Sequence, residues 1–286
     1  MHSLENKTAE ADGARAFQLF CTPTLSSHRT KDHDSLVERA RYHLRSAESC
    51  RLKTSICEIE THRFLPDTEP KADVLLVHGW TGEAAFMGAF AERLRRGGYR
   101  AVLMDMPAHG ESEGSEATLF ECAQAILEVA EAMAPVRFAL GHSIGALALL
   151  TVGEGHYPLP RSYPFEAYVL ISMPDAFGDV TLEFGQALRL SPAAQHAFER
   201  RLEAIAGRSI SDFSGTALLN AVNRPALLMH SRDDTEVPFT CSESMVAASA
   251  AASMKAFDGL GHRAILYTPP VMRAALNFID AHLNRG

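Results

Sequence analysis

Between Phe138 and Leu147 the chain reads Phe-Ala-Leu-Gly-His-Ser-Ile-Gly-Ala-Leu, an apolar run interrupted by Gly141-x-Ser143-x-Gly145. That spacing fits a strand that runs in, turns sharply at Ser143 and leaves as a helix. A serine at such a turn sits in a strained backbone, and the residues two before and two after it must be small where strand and helix cross. Gly141 and Gly145 meet that need. Glycine and serine are frequent residues, so three fixed positions alone carry little weight. The weight comes from whether the rest of the chain supplies an alternating strand–helix frame and partners that make a serine reactive.

The frame begins at residue 72. Ala72–His78 is a short, continuously apolar run, as expected of a strand buried on both faces. A helix over 84–97 is stopped by Gly97-Gly98, and strand 100–105, helix 118–134, strand 136–141 and helix 144–152 follow in turn. Strand-like runs at 167–172, 226–230 and 254–257 precede a final helix. This alternation predicts an α/β fold with a mostly parallel central sheet and helices on both faces. One interruption, residues 175–223, contains a Ser191-Pro192 helix start and a Gly207 stop. It is expected as a small helical cap insertion over the strand ends; the competing reading is an ordinary long crossover. Ala247–Ala252 reads as part of an alanine-rich helix. Ahead of the frame, residues 1–15 are expected to be flexible, 17–22 a weak edge strand, 32–46 an amphipathic helix and 52–64 one alternating strand. A length of 286 residues fits one domain over 1–286.

Composition removes several classes of function. A net charge of -8 argues against a nucleic-acid partner or an anionic membrane surface. No uninterrupted apolar run reaches the ~18 residues of a membrane span. The five cysteines have no paired C-x-x-C spacing, which speaks against a disulfide framework or a zinc site. The first residues lack the basic and apolar regions of a signal peptide. The expectation is a cytoplasmic protein acting on a small molecule.

A hydroxyl becomes a useful nucleophile when a base takes its proton and a third group holds that base. Histidine is the natural base. Of the 13 histidines, His262 stands out in Gly259-Leu-Gly261-His262-Arg263, a glycine-bounded loop between the last strand-like run and the final helix. In the chain order Ser, Asp, His the acid lies between 143 and 262, and the loop after the 226–230 run offers Asp233 and Asp234. Asp175, after an earlier strand, is a further carboxylate. All these positions follow strands at their carboxyl ends, where open α/β sheets bind ligands. His78, His109 and His142 are read as structural or site-lining rather than as bases; Phe86, Met87, Met173 and Phe177 are candidates for the pocket wall, with core as the commoner reading of apolar residues at such positions.

From about Ala72 to the C-terminus the sequence resembles the α/β-hydrolase superfamily. The resemblance rests on five motifs in order: His78-Gly79-Trp80, Asp105-Met-Pro-Ala-His-Gly110-Glu-Ser112, Gly141-His-Ser143-Ile-Gly145, Asp234-Thr-Glu-Val237-Pro238 and Gly261-His262. The D-x-x-V-P spacing selects Asp234 as the acid, leaving Asp233 as a solvated neighbour. The resemblance further implies an oxyanion hole built from the backbone N–H groups of Trp80 and Ile144. It implies a Ser143–His262–Asp234 triad that cleaves a carboxylic ester through an acyl-enzyme, with no cofactor or metal. Relatives that open halides or epoxides carry aspartate where this chain has Ser143, so that chemistry is not expected. Thioester, lactone and peracid chemistry share the same triad, and a non-catalytic binding protein on the same scaffold is the reading from another class.

Overall fold

In the computed structural model, which describes residues 2–25, 38 and 40–283, eight strands form one sheet in the order β1-β2-β4-β3-β5-β6-β7-β8. They are β1 (Glu48–Lys53), β2 (Glu58–Phe64), β3 (Asp73–Val77), β4 (Arg100–Met104), β5 (Val136–His142), β6 (Ala167–Ile171), β7 (Ala226–Ser231) and β8 (Ala252–Phe257). The helices used below are α1 (His2–Cys21), α2 (Gly88–Arg96), α3 (Leu119–Ala132), α4 (Ile144–Glu154), α5 (Phe177–Ala187), α6 (Pro192–Ala206), α7 (Gly215–Val222), α8 (Phe239–Ala248) and α9 (Pro269–His282). β2 pairs antiparallel with β1 and β4, and every other pairing is parallel. The mostly parallel α/β sheet expected from the alternation is therefore present.

β3, β6 and β7 are buried at every residue, which explains their unbroken apolar sequences: helices cover both faces. Because side chains alternate along a strand, Val74 and Leu76 pack with α2 and α9, whereas Leu75 and Val77 pack with α3 and α4. α3 begins where the sequence indicates. Thr118 Oγ1 accepts from Glu121 N at 3.2 Å while the Glu121 carboxylate accepts from Thr118 N at 2.8 Å, closing a capping box.

Three expectations give way. The run 52–64 is a hairpin, because the Thr54 hydroxyl donates to Cys57 O (2.7 Å) and accepts from Ile56 N and Cys57 N (3.2 Å each), folding the chain between β1 and β2. The alanine run 247–252 straddles the end of α8 and the start of β8, since Ala252 pairs with Ala226. The stretches expected as a flexible lead (1–15) and an edge strand (17–22) form one helix, α1. Ala9, Gly13, Ala16, Phe17 and Phe20 recur at helical spacing and turn towards α6. A lone helix of such small residues would be marginal; docking on a partner far along the chain stabilises it. Of the helix expected over 32–46, residues 32–37 and 39 lie outside the described residues, and Tyr42–Ser46 is a 3-10 turn.

The segment between β6 and β7, where a helical cap is expected, contains α5, α6 and α7. α5 lines the cavity described below together with the end of α1, α6 packs on α1, and α7 packs on α4 on the way into β7. Among the described residues no helix is long and apolar enough to cross a membrane.

α1 and α6 meet where neither has bulk. A Cβ on Gly13 would lie 2.7 Å from Ala197 Cβ and 2.8 Å from Ala194 O. Gly13→Leu is therefore expected to lower unfolding stability by about 1–3 kcal/mol through overpacking, read as a fall in the urea midpoint at unchanged m-value.

Candidate active site

Ser143 joins β5 to α4 with φ 51° and ψ -126°, a conformation that costs a non-glycine residue on the order of 1–3 kcal/mol. It persists because the surroundings leave no alternative. Ser143 N donates to Ile171 O on β6 at 2.8 Å. A Cβ at Gly141 would fall 2.5 Å from Ala146 Cα, and one at Gly145 would overlap the carbonyl oxygen of His78. Both glycines are thus required by the crossing, and α4 is pressed onto the end of β3. Ser143 opens into a cavity of about 530 Å³, which also takes Gly79, Trp80, Ile144 and His262 into its wall.

The loop after β3 is tied to the loop after β4 by two histidines. His78 Nδ1–H donates to Gly79 O (2.8 Å) and its Nε2 accepts from Met106 N (3.0 Å). His109 Nδ1–H donates to Pro107 O (2.8 Å) and its Nε2 accepts from Thr81 N (3.3 Å). Asp105 reinforces the join by accepting from Ala84 N (2.6 Å) and Glu111 N (2.9 Å). Burial pushes His78 down to about 4 and Asp105 up to about 6. Trp80 therefore sits on a braced loop, with its N–H and that of Ile144 on adjacent elements. Ile144 is the first residue of α4, so its N–H has no partner within the helix.

At the other wall, His262 Nδ1–H donates to Asp234 Oδ2 at 2.8 Å; an ionised carboxylate only accepts, which assigns the proton to Nδ1. Asp234 is held on every side. Its Oδ1 accepts from Glu236 N and Val237 N at 2.9 Å each, and His230 Nε2 lies 3.2 Å from Oδ2, with the side chains of His230 and Asp234 both fully buried. Burial alone would raise Asp234, but the bonds from His230, His262 and Val237 override it and hold the carboxylate well below its usual range. His142 Nε2–H donates to the backbone carbonyl of His262 at 2.9 Å, with its ring centroid 4.6 Å from that of His262. Burial, then the neighbouring His262, keep His142 well below the usual histidine range, so it serves as a neutral donor.

The remaining carboxylates have other partners. Asp175 accepts from Thr216 N (2.9 Å) and Thr216 Oγ1 (3.1 Å), capping α7. Asp233 is exposed, as the solvated neighbour expected from the sequence should be, and it is hydrogen-bonded as well. It accepts from Ser231 Oγ (2.5 Å), Gly259 N (2.8 Å), Leu260 N (3.3 Å) and Gly261 N (3.2 Å), so it pins the glycine loop that delivers His262. The Ser231 bond first, then those backbone donors, hold Asp233 below its usual range.

Of the four apolar residues weighed as pocket wall or core, Phe86 and Phe177 line the cavity, as do Leu19 and Phe20 of α1, and Met87 and Met173 are core. Sequence reasoning missed α1 here because its helical spacing was read as a strand. It also missed His230, whose only local signal is its place four residues before Asp234. Among the described residues no group of three or more His, Cys, Asp or Glu is placed to hold a metal ion.

The family model described as the alpha/beta hydrolase family matches residues 74–275. Est1E from Butyrivibrio proteoclasticus, in a structure with ferulic acid bound, superposes with a TM-score of 0.67 at 18% identity over 82% of this chain and 99% of its own. A proline iminopeptidase from Mycobacterium smegmatis gives 0.62 at 14% over 82% and 99%. The thioesterase domain from the curacin biosynthetic pathway gives 0.58 at 17% over 82% and 98%. At these identities the likeness is one of fold.

The buried histidines predict an acid limb. An unfolded histidine protonates near 6.5, whereas folded His78 resists until about 4, so its contribution is present above 6.5 and is lost as pH falls to 4. The loss amounts to about 3 kcal/mol. His142 acts in the same sense and Asp105, with its raised value, in the opposite one. His78→Asn should therefore lose about 3 kcal/mol less stability than the wild type between pH 7 and pH 4 in urea unfolding.

Proposed function

The chain belongs to the alpha/beta hydrolase family, and we propose that it is a serine hydrolase cleaving a carboxylic ester through an acyl-enzyme. The observation that carries this reading is the buried Asp234–His262 pair at 2.8 Å, with His262 and the strained Ser143 facing one cavity. Ser143 Oγ attacks the carbonyl carbon as its proton passes to His262 Nε2, the nitrogen that Asp234 does not engage. Asp234 fixes the tautomer and stabilises the imidazolium. The N–H groups of Trp80 and Ile144 receive the oxyanion, and the α4 N-terminus adds its positive end. His262 then returns the proton to the leaving alcohol, and a water deprotonated by the same histidine releases the acid.

The cavity favours an ester over a phosphate-bearing thioester. Its wall is largely apolar, and the one guanidinium among the described residues that line it, Arg263, is engaged by Glu236 through Nε (2.9 Å) and Nη2 (3.0 Å). A cofactor thioester carries phosphates that call for cations.

A fluorophosphonate probe should label Ser143 in the folded protein and leave Ser143→Ala unlabelled, with kcat on an activated ester falling on the order of 10⁶-fold in that variant. Folded wild type that is not labelled would rule the reading out. The two neighbouring carboxylates should separate: Asp234→Asn should lower kcat on the order of 10⁴-fold through the wrong tautomer. Asp233→Asn should lower it about 10- to 100-fold, because the His262 loop is only displaced. Equal losses would contradict the division of roles.

A further inference from the structure

α1 is distant from the family motifs in sequence, and the family model match starts at residue 74. Yet its last turn reaches the cavity. The Phe20 ring stacks on Trp80 at 6.3 Å between centroids and meets Phe184 of α5 at 5.0 Å and Phe198 of α6 at 5.3 Å, both edge-on. It also lies 6.0 Å from Phe177. One side chain thus links the loop of the proposed oxyanion donor to both cap helices while lining the cavity. The end of α1 is anchored to the body as well, since Ala117 N donates to Cys21 O at 2.8 Å. Phe20 cannot swing away without losing these contacts, so the space it occupies is closed to substrate.

Resting on the serine-hydrolase reading above, we propose that Phe20 is a specificity-determining residue: it walls the acyl subsite and limits the length of an uncharged, apolar acyl group. The side chains of Phe20, Phe177, Val180 and Phe184 offer no hydrogen-bond partner, and Glu183 beside them would repel an anion, so the acyl group that fills the space is a hydrocarbon chain or an aryl ring without charge. A volume of about 530 Å³, shared with the leaving group, suits a medium chain better than a long one. Shortening Phe20 to leucine opens room where the ring stood while leaving an apolar contact for α5 and α6. Enlarging it to tryptophan takes room away.

The test is kcat/KM for p-nitrophenyl esters from acetate to decanoate, with p-nitrophenyl benzoate as the aryl member, for wild type, Phe20→Leu and Phe20→Trp. Phe20→Leu should raise the decanoate-to-acetate ratio about tenfold and Phe20→Trp lower it about tenfold, each with the thermal midpoint within a few degrees of wild type. Benzoate moving with decanoate assigns the space to apolar groups in general; benzoate unmoved assigns it to extended chains, and both support the subsite. A uniform loss across all esters, or an unchanged profile in both variants while Ser143 still takes a fluorophosphonate label, would overturn the role of Phe20 and leave the hydrolase reading intact. Absence of the label in the wild type would overturn both.

Discussion

Everything at this site depends on one close approach, that of Gly145 to the carbonyl oxygen of His78. It forces α4 against the end of β3, and so sets the position of Ser143 relative to the loop that carries Trp80. The contact tolerates no side chain, and it holds Ser143 at φ 51°. A strained residue survives only where its surroundings over-determine it. Here the bond from Ser143 N to Ile171 O and the packing of Gly141 on Ala146 do so from two further sides. The serine is therefore placed by sheet and helix together rather than by a mobile loop.

The histidines show how similar residues are given separate tasks by what surrounds them. His78 and His109 each donate to a carbonyl and accept from an amide, so they act as struts between loops. His142 braces the backbone of His262, and His230 helps satisfy a carboxylate that is fully buried. An uncompensated buried carboxylate would be costly. Asp234 avoids that cost by accepting from two amides and from His262, with His230 beside it. Among the described histidines only His262 combines a carboxylate partner with a place on the cavity wall, and that combination distinguishes a candidate base from a strut.

What was legible in the sequence was what local chemistry decides. The buried strands announce themselves as apolar runs, the Ser191-Pro192 start marks a helix end, and the glycines flanking Ser143 mark the turn. The family motifs point to Asp234, whereas the bonds that Asp233 makes are not legible because they go to residues some 26 positions later. Thr54 was misread for a related reason: its hydroxyl replaces a ladder bond with a turn, and a β-branched residue in an alternating run gives no warning of that.

The N-terminal helix marks the limit of local reading most clearly. Most of its residues are small or polar, and the helical spacing of Ala9, Gly13, Ala16, Phe17 and Phe20 alone is too weak to hold a helix. The explanation lies about 180 residues away, where α6 presents Ala194 and Ala197 and lets Gly13 approach closely. The ion pairs of Glu10 with Arg200 and Arg201 are half exposed and so contribute little. Burial of Ala9, Ala16 and Cys21, with Phe17 and Phe20 packed against the same core, does the holding. Since the aromatic ring at the end of that helix is also part of the cavity wall, the docking of α1 and the shape of the cavity are one packing problem. A change that loosens α1 on α6 must therefore alter the space in front of Ser143.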